Sequence, residues 1–264
     1  MTIDFSGSTG KTNEREFGLS FDVAHSSGSI KHSVSVVIPC LNEERFIYQL
    51  LKTLSAQYDE ELLEIIVVDG ISNDGTRGEI NRFVVNYPHA NVRVIDNPLR
   101  HIPVALNLGI TNASGDLIVR MDAHSLPSPN YIRRCVSVLS RSDAAVVGMP
   151  WKIEPASTTK AARAIALAVS HPFGIGDAKY RLGVESHQSV DTVPFGAFKR
   201  TLWKGLGGFN ENLLANEDYE FNYRVRKTGG RIILDGEAHS VYYARNTFSE
   251  LARQYFRYGF WKAQ

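Results

Sequence analysis

Ile65-Ile66-Val67-Val68-Asp69-Gly70 decides the fold, because a run of β-branched side chains ends there in a carboxylate and a glycine. A short apolar run of this kind is typical of a buried strand. The earlier run Ser35-Val36-Val37-Ile38-Pro39 and the later run Leu117-Ile118-Val119-Arg120-Met121 have the same character. In open α/β sheets, ligands bind beyond the carboxyl ends of the strands. The loops after these runs are therefore where a functional site is expected.

Helical patterns separate the predicted strands. After the first run, apolar residues recur with helical spacing at Phe46, Ile47, Leu50, Leu51 and Leu54. Asn42 is placed to cap this helix, and Pro103 suits the first turn of a later one. Strands alternating with helices predict a mostly parallel α/β sheet with right-handed crossovers. The chain has neither G-x-G-x-x-G nor a Walker A sequence, which disfavours an ordinary NAD or ATP phosphate loop.

The second half of the chain is less regular. Its patterns predict strands at 144–148, 193–198, 232–234 and 240–243, and helices at 161–169, 216–228 and 247–258. From His171 to Ser189 the periodicity is weak. An irregular segment of that length indicates a functional loop or lid.

Composition excludes several classes of protein. Lys plus Arg is 29 and Asp plus Glu is 28, so nothing in the charge predicts nucleic acid as a partner. The two cysteines argue against a disulfide framework and a thiolate metal site. Residues 1–32 are rich in Ser, Gly and Thr and predict a flexible leader without a secretory h-region. No apolar run reaches the roughly 18 residues of a spanning helix, so we expect a cytoplasmic protein, with peripheral membrane contact left open.

Three acidic sites stand where one reaction would need them. Asp69 ends a predicted strand, Asp122 and His124 follow another, and Glu217 and Asp218 open a helix. They suggest a nucleotide site, a metal site and a base. From the residues alone, each has an alternative. Asp69 can satisfy loop amides, His124 can be an ordinary hydrogen-bonding residue, and the Glu217–Asp218 pair can complement a helix N-terminus.

Several stretches of the chain resemble inverting glycosyltransferases of family 2, which have the GT-A fold. The matching stretches are 35–44, 67–76, Asp122-Ala123-His124 and Asn216-Glu217-Asp218. Two more, 190–198 and 253–259, are similar to the succinoglycan-biosynthesis branch, which builds cell-surface polysaccharide on lipid carriers. The resemblance implies one GT-A α/β domain over 33–264, with a mixed, mostly parallel sheet flanked by helices. Residues 33–125 would be its nucleotide-binding half and residues 126–264 its acceptor-binding half.

The resemblance also implies roles for the residues of the first half. Asp69 would accept a hydrogen bond from the pyrimidine of the donor, since an anionic acceptor matches an imide N–H. Pro39, Asn42 and Glu43 would shape the base and ribose pocket. Arg100 is a further nucleotide contact on weaker grounds.

Asp122 stands at the family's Asp-x-Asp motif and would bind Mg²⁺ or Mn²⁺ bridging the donor's two phosphates. His124 occupies the place of a frequent second Asp. This departure favours Mn²⁺ or softer ions if the imidazole is a ligand. His239 is a third ligand expected from the C-terminal part.

The remaining roles fall in the second half. Asp218 would be the general base, with Glu217 beside it as support. The segment from Gln254 to Tyr258 resembles the Gln-x-x-Arg-Trp segment of processive members, with Tyr in place of Trp, so processivity is not inferred. Gln254 and Arg257 share a helix face and, with Arg245, would contact the acceptor or the diphosphate.

Together these features predict a metal-dependent transferase that moves a hexose from a UDP-sugar to a glycan or polyprenyl-diphosphate-linked sugar. UDP-glucose is the expected donor, from the succinoglycan-type resemblance alone. A lipid-linked acceptor would place the enzyme at the inner face of the cytoplasmic membrane. The alternatives are a sugar nucleotidyltransferase and a non-catalytic sugar-nucleotide- or glycan-binding module. The acidic loop at 40–44 disfavours the first, and the presence of Asp218 disfavours the second.

Overall fold

A computed structural model describes residues 32–57, 62–175 and 178–262. The predicted leader, His32 excepted, lies outside the described residues. The strands are β1 (Val34–Cys40), β2 (Leu62–Asp69), β3 (Val92–Asp96), β4 (Leu117–Arg120), β5 (Leu126–Pro127), β6 (Ala144–Gly148), β7 (Trp151–Pro155), β8 (His187–Ser189), β9 (Ala197–Lys199), β10 (Arg231–Asp235) and β11 (Ser240–Ala244). The helices are α1 (Ile47–Ser55), α2 (Thr76–Asn86), α3 (Ile102–Thr111), α4 (Tyr131–Arg141), α5 (Lys160–Ala168), α6 (Pro172–Ile175), α7 (Lys179–Leu182), α8 (Arg200–Gly205), α9 (Glu217–Lys227) and α10 (Phe248–Lys262).

The central sheet has the strand order β3-β2-β1-β4-β9-β6-β10-β8. Strands β3, β2, β1 and β4 run parallel, and β6 runs parallel to β10. Strand β9 lies antiparallel between β4 and β6, and β8 is antiparallel to β10. The predicted α/β fold with a mixed, mostly parallel sheet flanked by helices is therefore confirmed.

Strand register brings the predicted acidic residues to one edge of this sheet. Val36, Val37 and Ile38 are fully buried in β1, as their β-branched run predicts. In register, Cys40 lies opposite Asp69, and Asp69 lies opposite Asp96. Arg120, the last residue of β4, pairs with Val37. The loops after these strands consequently meet on the same side of the molecule.

A second, three-stranded sheet with the order β5-β11-β7 was not predicted from the sequence. Strand β11 is parallel to β7 and antiparallel to β5. Helices α5 and α10 contribute to a small hydrophobic core beside it, where Ile165 and Val169 pack with Ala244 and Leu251. In the described part of the chain, we find no helix with the length and apolar composition required to span a bilayer.

Two local predictions were wrong. Asn42 does not cap α1, which begins at Ile47 after Phe46, and Asn42 adopts a left-handed backbone conformation with φ of 57°. The stretch from His171 to Ser189 is not irregular throughout, because it contains α6, α7 and the edge strand β8. Pairing of Ser189, Gln188 and His187 with β10 anchors its end to the central sheet. Cross-strand hydrogen bonds, which the local sequence does not encode, override the weak periodicity there.

Candidate active site

Asp69 is fully buried, and its carboxylate is occupied by its own loop. Oδ1 accepts a hydrogen bond from Ser72 Oγ at 2.5 Å, and Oδ2 accepts one from Ser72 N at 3.2 Å. Arg77 Nε donates to Oδ2 at 2.6 Å and its Nη2 donates to Asp96 Oδ1, also at 2.6 Å. Asp69 thus orders the turn between β2 and α2. A pyrimidine N–H would have to share or displace one of these donors.

Asn42 and Glu43 join the loop after β1 to the loop after β2. Asn42 N donates to Ser72 Oγ at 2.9 Å, while Asn42 Oδ1 accepts from Asn73 N at 3.0 Å. Glu43 N donates to Thr76 Oγ1 at 2.7 Å. The two loops are therefore held together by short polar contacts before any ligand binds.

Arg100 reaches this edge from the loop after β3. Its Nη2 donates to the carbonyl of Ile71 at 3.3 Å, which ties a third loop to the turn after Asp69. Pro39 is half-buried in β1 opposite Val68. The structure thus places Pro39, Asn42, Glu43, Asp69 and Arg100 along one edge of the sheet.

Left-handed backbone marks this edge and its neighbourhood. Five non-glycine residues with positive φ occur among those described: Asn42, Ile71, Arg100, Phe195 and Asn216. The β-branched Ile71, with φ of 56°, is the most unusual of them. Four of them are predicted site residues or lie within two residues of one in the chain, and Phe195 lies near the guanidinium of Arg120. Strained conformations of this kind concentrate at functional sites.

A carboxylate fixes one ring nitrogen of His124. Its Nδ1 lies 3.0 Å from Glu43 Oε1, which leaves Nε2 available. Burial is the largest single influence and lowers the pKa of His124. The hydrogen bond to Glu43 and the charges of Asp122 and Glu43 together outweigh it, so the pKa is raised, although the charge of Arg245 acts against this. Histidines that bind metals usually have such a partner on the other ring nitrogen.

Arg120 brings three of the predicted acidic residues together. It is almost fully buried, and its Nη2 lies 3.1 Å from Asp122 Oδ1 and 2.8 Å from Glu217 Oε1. Its Nη1 contacts Asp218 Oδ1. The side chain of Asp218 is 23% exposed and that of Glu217 is 7% exposed, so Asp218 is the one open to a substrate. The predicted metal ligand and the predicted base thus share one cation.

Sequence reasoning missed Arg120, although the signal was present. Arg120 is the one charged residue in the strand run from Leu117 to Met121. Burial alone would lower the pKa of Arg120, but the charges and hydrogen bonds of Asp122 and Glu217 raise it. Its Nε has no hydrogen-bond partner among the described residues, and its guanidinium carbon lies 6.0 Å from the centre of the Phe195 ring. Buried arginines are rare unless paired, so a charge within a strand run is worth interpreting.

The predicted C-terminal contacts line one cavity of about 240 Å³, formed by Arg245, Glu250, Arg253, Gln254 and Arg257. Gln254 is buried and donates from Nε2 to Tyr242 Oη at 3.1 Å and to Tyr258 Oη at 2.9 Å. Asn216 Nδ2 donates to the Tyr258 carbonyl at 2.9 Å, which couples the start of α9 to α10. This hydrogen bond links the helix that carries Arg253 and Arg257 to the start of the helix that carries Glu217 and Asp218.

His239 is not joined to Asp122 and His124 in a cluster of metal ligands. Among the described residues, only His187, Asp235 and Glu237 form a trio whose ligand atoms lie within 4.8 Å of one another. His239 is exposed, and its backbone N–H and C=O bond to Ser128 Oγ and Ser128 N. In the His187 trio, Arg134 already pairs with Asp235 at 2.8 Å and Glu237 at 2.9 Å. Arg134 thus supplies positive charge at that cluster.

Residues 35–202 match the model of the family described as "Glycosyl transferase family 2". The chain is 32% identical over 228 residues to the succinoglycan biosynthesis protein ExoA of Rhizobium meliloti (strain 1021), which is 85% of this chain and 67% of that protein. It is 26% identical over 231 residues to a dolichyl N-acetyl-α-D-glucosaminyl phosphate 3-β-D-2,3-diacetamido-2,3-dideoxy-β-D-glucuronosyltransferase of Methanococcus voltae, covering 86% of this chain and 71% of that protein.

Solved structures show the same fold. The mannosyltransferase PcManGT from Pyrobaculum calidifontis, in complex with GDP-Man and Mn²⁺, superposes with a TM-score of 0.65 at 21% identity over 84% of this chain. Residues 1–349 of TarS from S. aureus, in complex with UDP, superpose with a TM-score of 0.59 at 18% identity over 80% of this chain. The matches span 60% of each of those two chains.

Proposed function

The chain belongs to glycosyltransferase family 2, close to the succinoglycan-biosynthesis branch, and we propose that it is an inverting, metal-dependent hexosyltransferase. Its donor is a UDP-sugar, with glucose as the sugar. Its acceptor is a glycan or a polyprenyl-diphosphate-linked sugar used in cell-surface polysaccharide synthesis. The names of relatives support this direction, since one is a succinoglycan biosynthesis protein.

The convergence of Asp122, Glu217 and Asp218 on Arg120 supports the proposal most directly. Asp122 lies in the loop after β4 and the acidic pair lies at the start of α9, yet one buried guanidinium contacts all three residues. Glu217 and Asp218 also begin α9, where the helix dipole favours negative charge. The dipole alone does not account for a buried arginine that also reaches Asp122. The geometry therefore favours a functional role for the acidic pair over simple helix capping.

In the proposed reaction, Asp218 takes the proton of the acceptor hydroxyl as that oxygen attacks the anomeric carbon. A bond forms between the acceptor oxygen and the anomeric carbon, and the bond from that carbon to the nucleoside diphosphate breaks on the opposite face. The products are the glycosylated acceptor and nucleoside diphosphate, with the proton on Asp218. Glu217 is buried and paired with Arg120 Nη2, so it holds the guanidinium in place while Asp218 accepts the proton.

The proposed divalent cation binds at Asp122, whose Oδ1 also contacts Arg120 Nη2 at 3.1 Å. The partly exposed carboxylate of Asp122 supplies the oxygen ligand that Mg²⁺ and Mn²⁺ prefer, and His124 Nε2 adds a nitrogen compatible with Mn²⁺. His239 would bind the same ion only if donor binding moved the loop that carries it. When bound, the ion stabilises negative charge on the departing diphosphate.

The donor nucleotide is proposed to lie along the edge formed by Pro39, Asn42, Glu43, Asp69 and Arg100. The loops there are already bonded to one another, so little ordering is needed when a ligand binds. One structural neighbour was solved with UDP, which supports a uridine nucleotide as the donor. Another was solved with GDP-Man, so GDP-sugars are included among the donors to be tested. The segment from His171 to Ser189 remains a proposed lid, hinged ahead of its anchored β8 end.

The acceptor is proposed to lie beside the cavity lined by Arg245, Gln254 and Arg257. Guanidinium groups suit phosphate oxygens, so a lipid diphosphate or the diphosphate of the donor fits this cavity. An acceptor on a polyprenyl carrier places the enzyme at the inner face of the cytoplasmic membrane. In this proposal, residues 33–125 bind the donor and residues 126–264 bind the acceptor.

The test is release of nucleoside diphosphate from UDP-, GDP- and dTDP-sugars with Mn²⁺, Mg²⁺ or EDTA, in the presence of a crude polyprenyl-linked acceptor. We expect nucleoside diphosphate to be released from one of the donors only when a divalent metal is present, and we expect Asp122→Ala to abolish this release. The donor that reacts identifies the sugar. Metal-dependent donor binding without release, also with a defined acceptor, would favour the binding module instead. Pyrophosphate chemistry with a nucleoside triphosphate would favour the nucleotidyltransferase. Folded protein that binds no nucleotide sugar contradicts the proposal.

A further inference from the structure

Helix α10 exposes a stripe of large aromatic side chains. Phe248 is 62% exposed, Phe256 is 77% exposed, Phe260 is 51% exposed, and Tyr255 is also exposed. At about 100° per residue, these four fall within an arc of about 140°. Gln254, on the far side of the helix, and Leu251, at the edge of this arc, pack against the protein. The helix is therefore anchored on one face and presents an exposed apolar face on another.

The neighbouring helices also carry exposed apolar side chains. Phe173 of α6 is 98% exposed and Leu167 of α5 is 69% exposed. Both helices contribute to the same small core as α10, through Ile165, Ile175 and Leu251. Exposed apolar side chains scattered singly are ordinary, but four large aromatic side chains along one arc of α10 indicate an interaction site.

Positive charge borders the aromatic stripe. Arg253 and Arg257 occupy the next part of the helix circumference, and both are exposed at the rim of the cavity that also contains Arg245. The segment from Phe248 to Trp261 contains one acidic residue, Glu250, whose Oε2 accepts a hydrogen bond from Asn246 N at 3.1 Å. An apolar face flanked by arginines is typical of a helix that lies in the interface of a bilayer with anionic headgroups.

We propose that the aromatic face of α10, together with Phe173 and Leu167, docks on the surface of an anionic lipid bilayer. The aromatic side chains enter the headgroup region, and Arg253 and Arg257 meet lipid phosphates. This deepens the membrane contact in the proposed function by naming its surface. The docking puts the arginine-lined cavity at the level of the headgroups, where a lipid-linked diphosphate is found.

The test is co-sedimentation of the 264-residue protein with vesicles of phosphatidylcholine alone or mixed with phosphatidylglycerol. No donor, acceptor or metal is present. The expected result is binding to the mixed vesicles that is at least about tenfold stronger than to neutral ones and that weakens with added salt. The double variant Phe256→Ser, Phe260→Ser should lose at least about tenfold of this binding, since each ring removes apolar area from the contact.

Val85→Ser is the matched control, because Val85 is 78% exposed on α2, outside the surface formed by α5, α6 and α10. It should bind vesicles as the unchanged protein does. Both variants alter exposed side chains, and an unchanged circular dichroism spectrum and Tm verify that they fold. Binding that Val85→Ser weakens equally, or that the double variant leaves intact, overturns the proposal. So does a protein that ignores both vesicles and instead forms a dimer that the double variant dissociates.

The outcome separates this inference from the proposed reaction. A protein that docks on vesicles yet transfers no sugar contradicts the reaction alone. A protein that transfers sugar to a soluble acceptor but binds no vesicles contradicts the docking surface alone.

Discussion

The two sides of the site are held together in different ways. On the nucleotide side, Asp69 is buried among partners from its own loop and the next helix, Ser72 and Arg77. On the catalytic side, Asp218 and Glu217 depend on Arg120, which lies about a hundred residues earlier in the chain. Local partners make the first side robust, whereas the second side depends on one long-range cation. Single substitutions should therefore lower donor affinity by small factors and lower the turnover rate by large ones.

The largest effect is expected for Asp218→Asn, which removes the proposed base and keeps its shape. Loss of a general base lowers kcat by about 100- to 10,000-fold. Donor binding should be nearly unchanged because Asp218 lies on the other side of the site. Steady-state kinetics and calorimetric titration with UDP measure the two quantities. Glu220→Gln is the control on the same helix, since Glu220 pairs with Arg224 instead. Equal turnover in Asp218→Asn and Glu220→Gln would rule out Asp218 as the base.

Arg120→Met should be the next most damaging change. It leaves the nearly buried Glu217 without its cation, and breaking such a buried pair costs about 3–5 kcal/mol of unfolding free energy. Arg120→Lys keeps a charge but cannot contact three carboxylates with a planar group, so an intermediate loss is expected. Urea unfolding measures both. The control, Arg231→Met, breaks an exposed pair with Asp143 and should cost about 1 kcal/mol or less. If Arg120→Met cost no more than this control, Arg120 would not be the organising residue.

Metal-dependent donor binding should separate Asp122 from His124. Asp122→Ala should weaken UDP binding in Mn²⁺ by at least about 10- to 100-fold, and His124→Ala by less, because carboxylate oxygen is the preferred ligand. Neither variant should change UDP binding in EDTA by more than a few-fold. Calorimetric titration in both conditions gives the answer. A larger loss in His124→Ala would reverse the assignment of the main ligand.

The smallest of these effects is expected for Asp69→Asn. The amide can still accept from Ser72, but it weakens the pairing with Arg77, so donor affinity should fall about tenfold through loosening of the loop and loss of the base contact. The control is Asp96→Asn, the exposed partner of the same arginine, which should change affinity little. UDP affinity and Tm are measured for each. A fall in Tm without any fall in affinity would assign Asp69 to the turn alone.

The first half could be predicted in detail because its signals are local. The runs ending at Cys40, Asp69 and Arg120 became adjacent parallel strands, and their following loops met at one edge. The second half was predicted less well. Strand β8 pairs with β10, whose partner residues lie more than forty positions away, and no local pattern encodes that pairing. The role of Arg120 was missed for the same reason, since its three partners lie in the next loop and on a distant helix. Asn42 failed as a cap because its hydrogen bonds go to Ser72 and Asn73 instead.

The most direct test of the central claim, that the carboxylates gathered around Arg120 form the active site of a metal-dependent transferase, is a crystal structure with UDP and Mn²⁺. We expect the ion at about 2.0–2.3 Å from Asp122 Oδ, the base of UDP at the edge containing Asp69, and Asp218 across from the diphosphate. Diphosphate bound away from Asp122, or on the same side of the pocket as Asp218, would contradict the account.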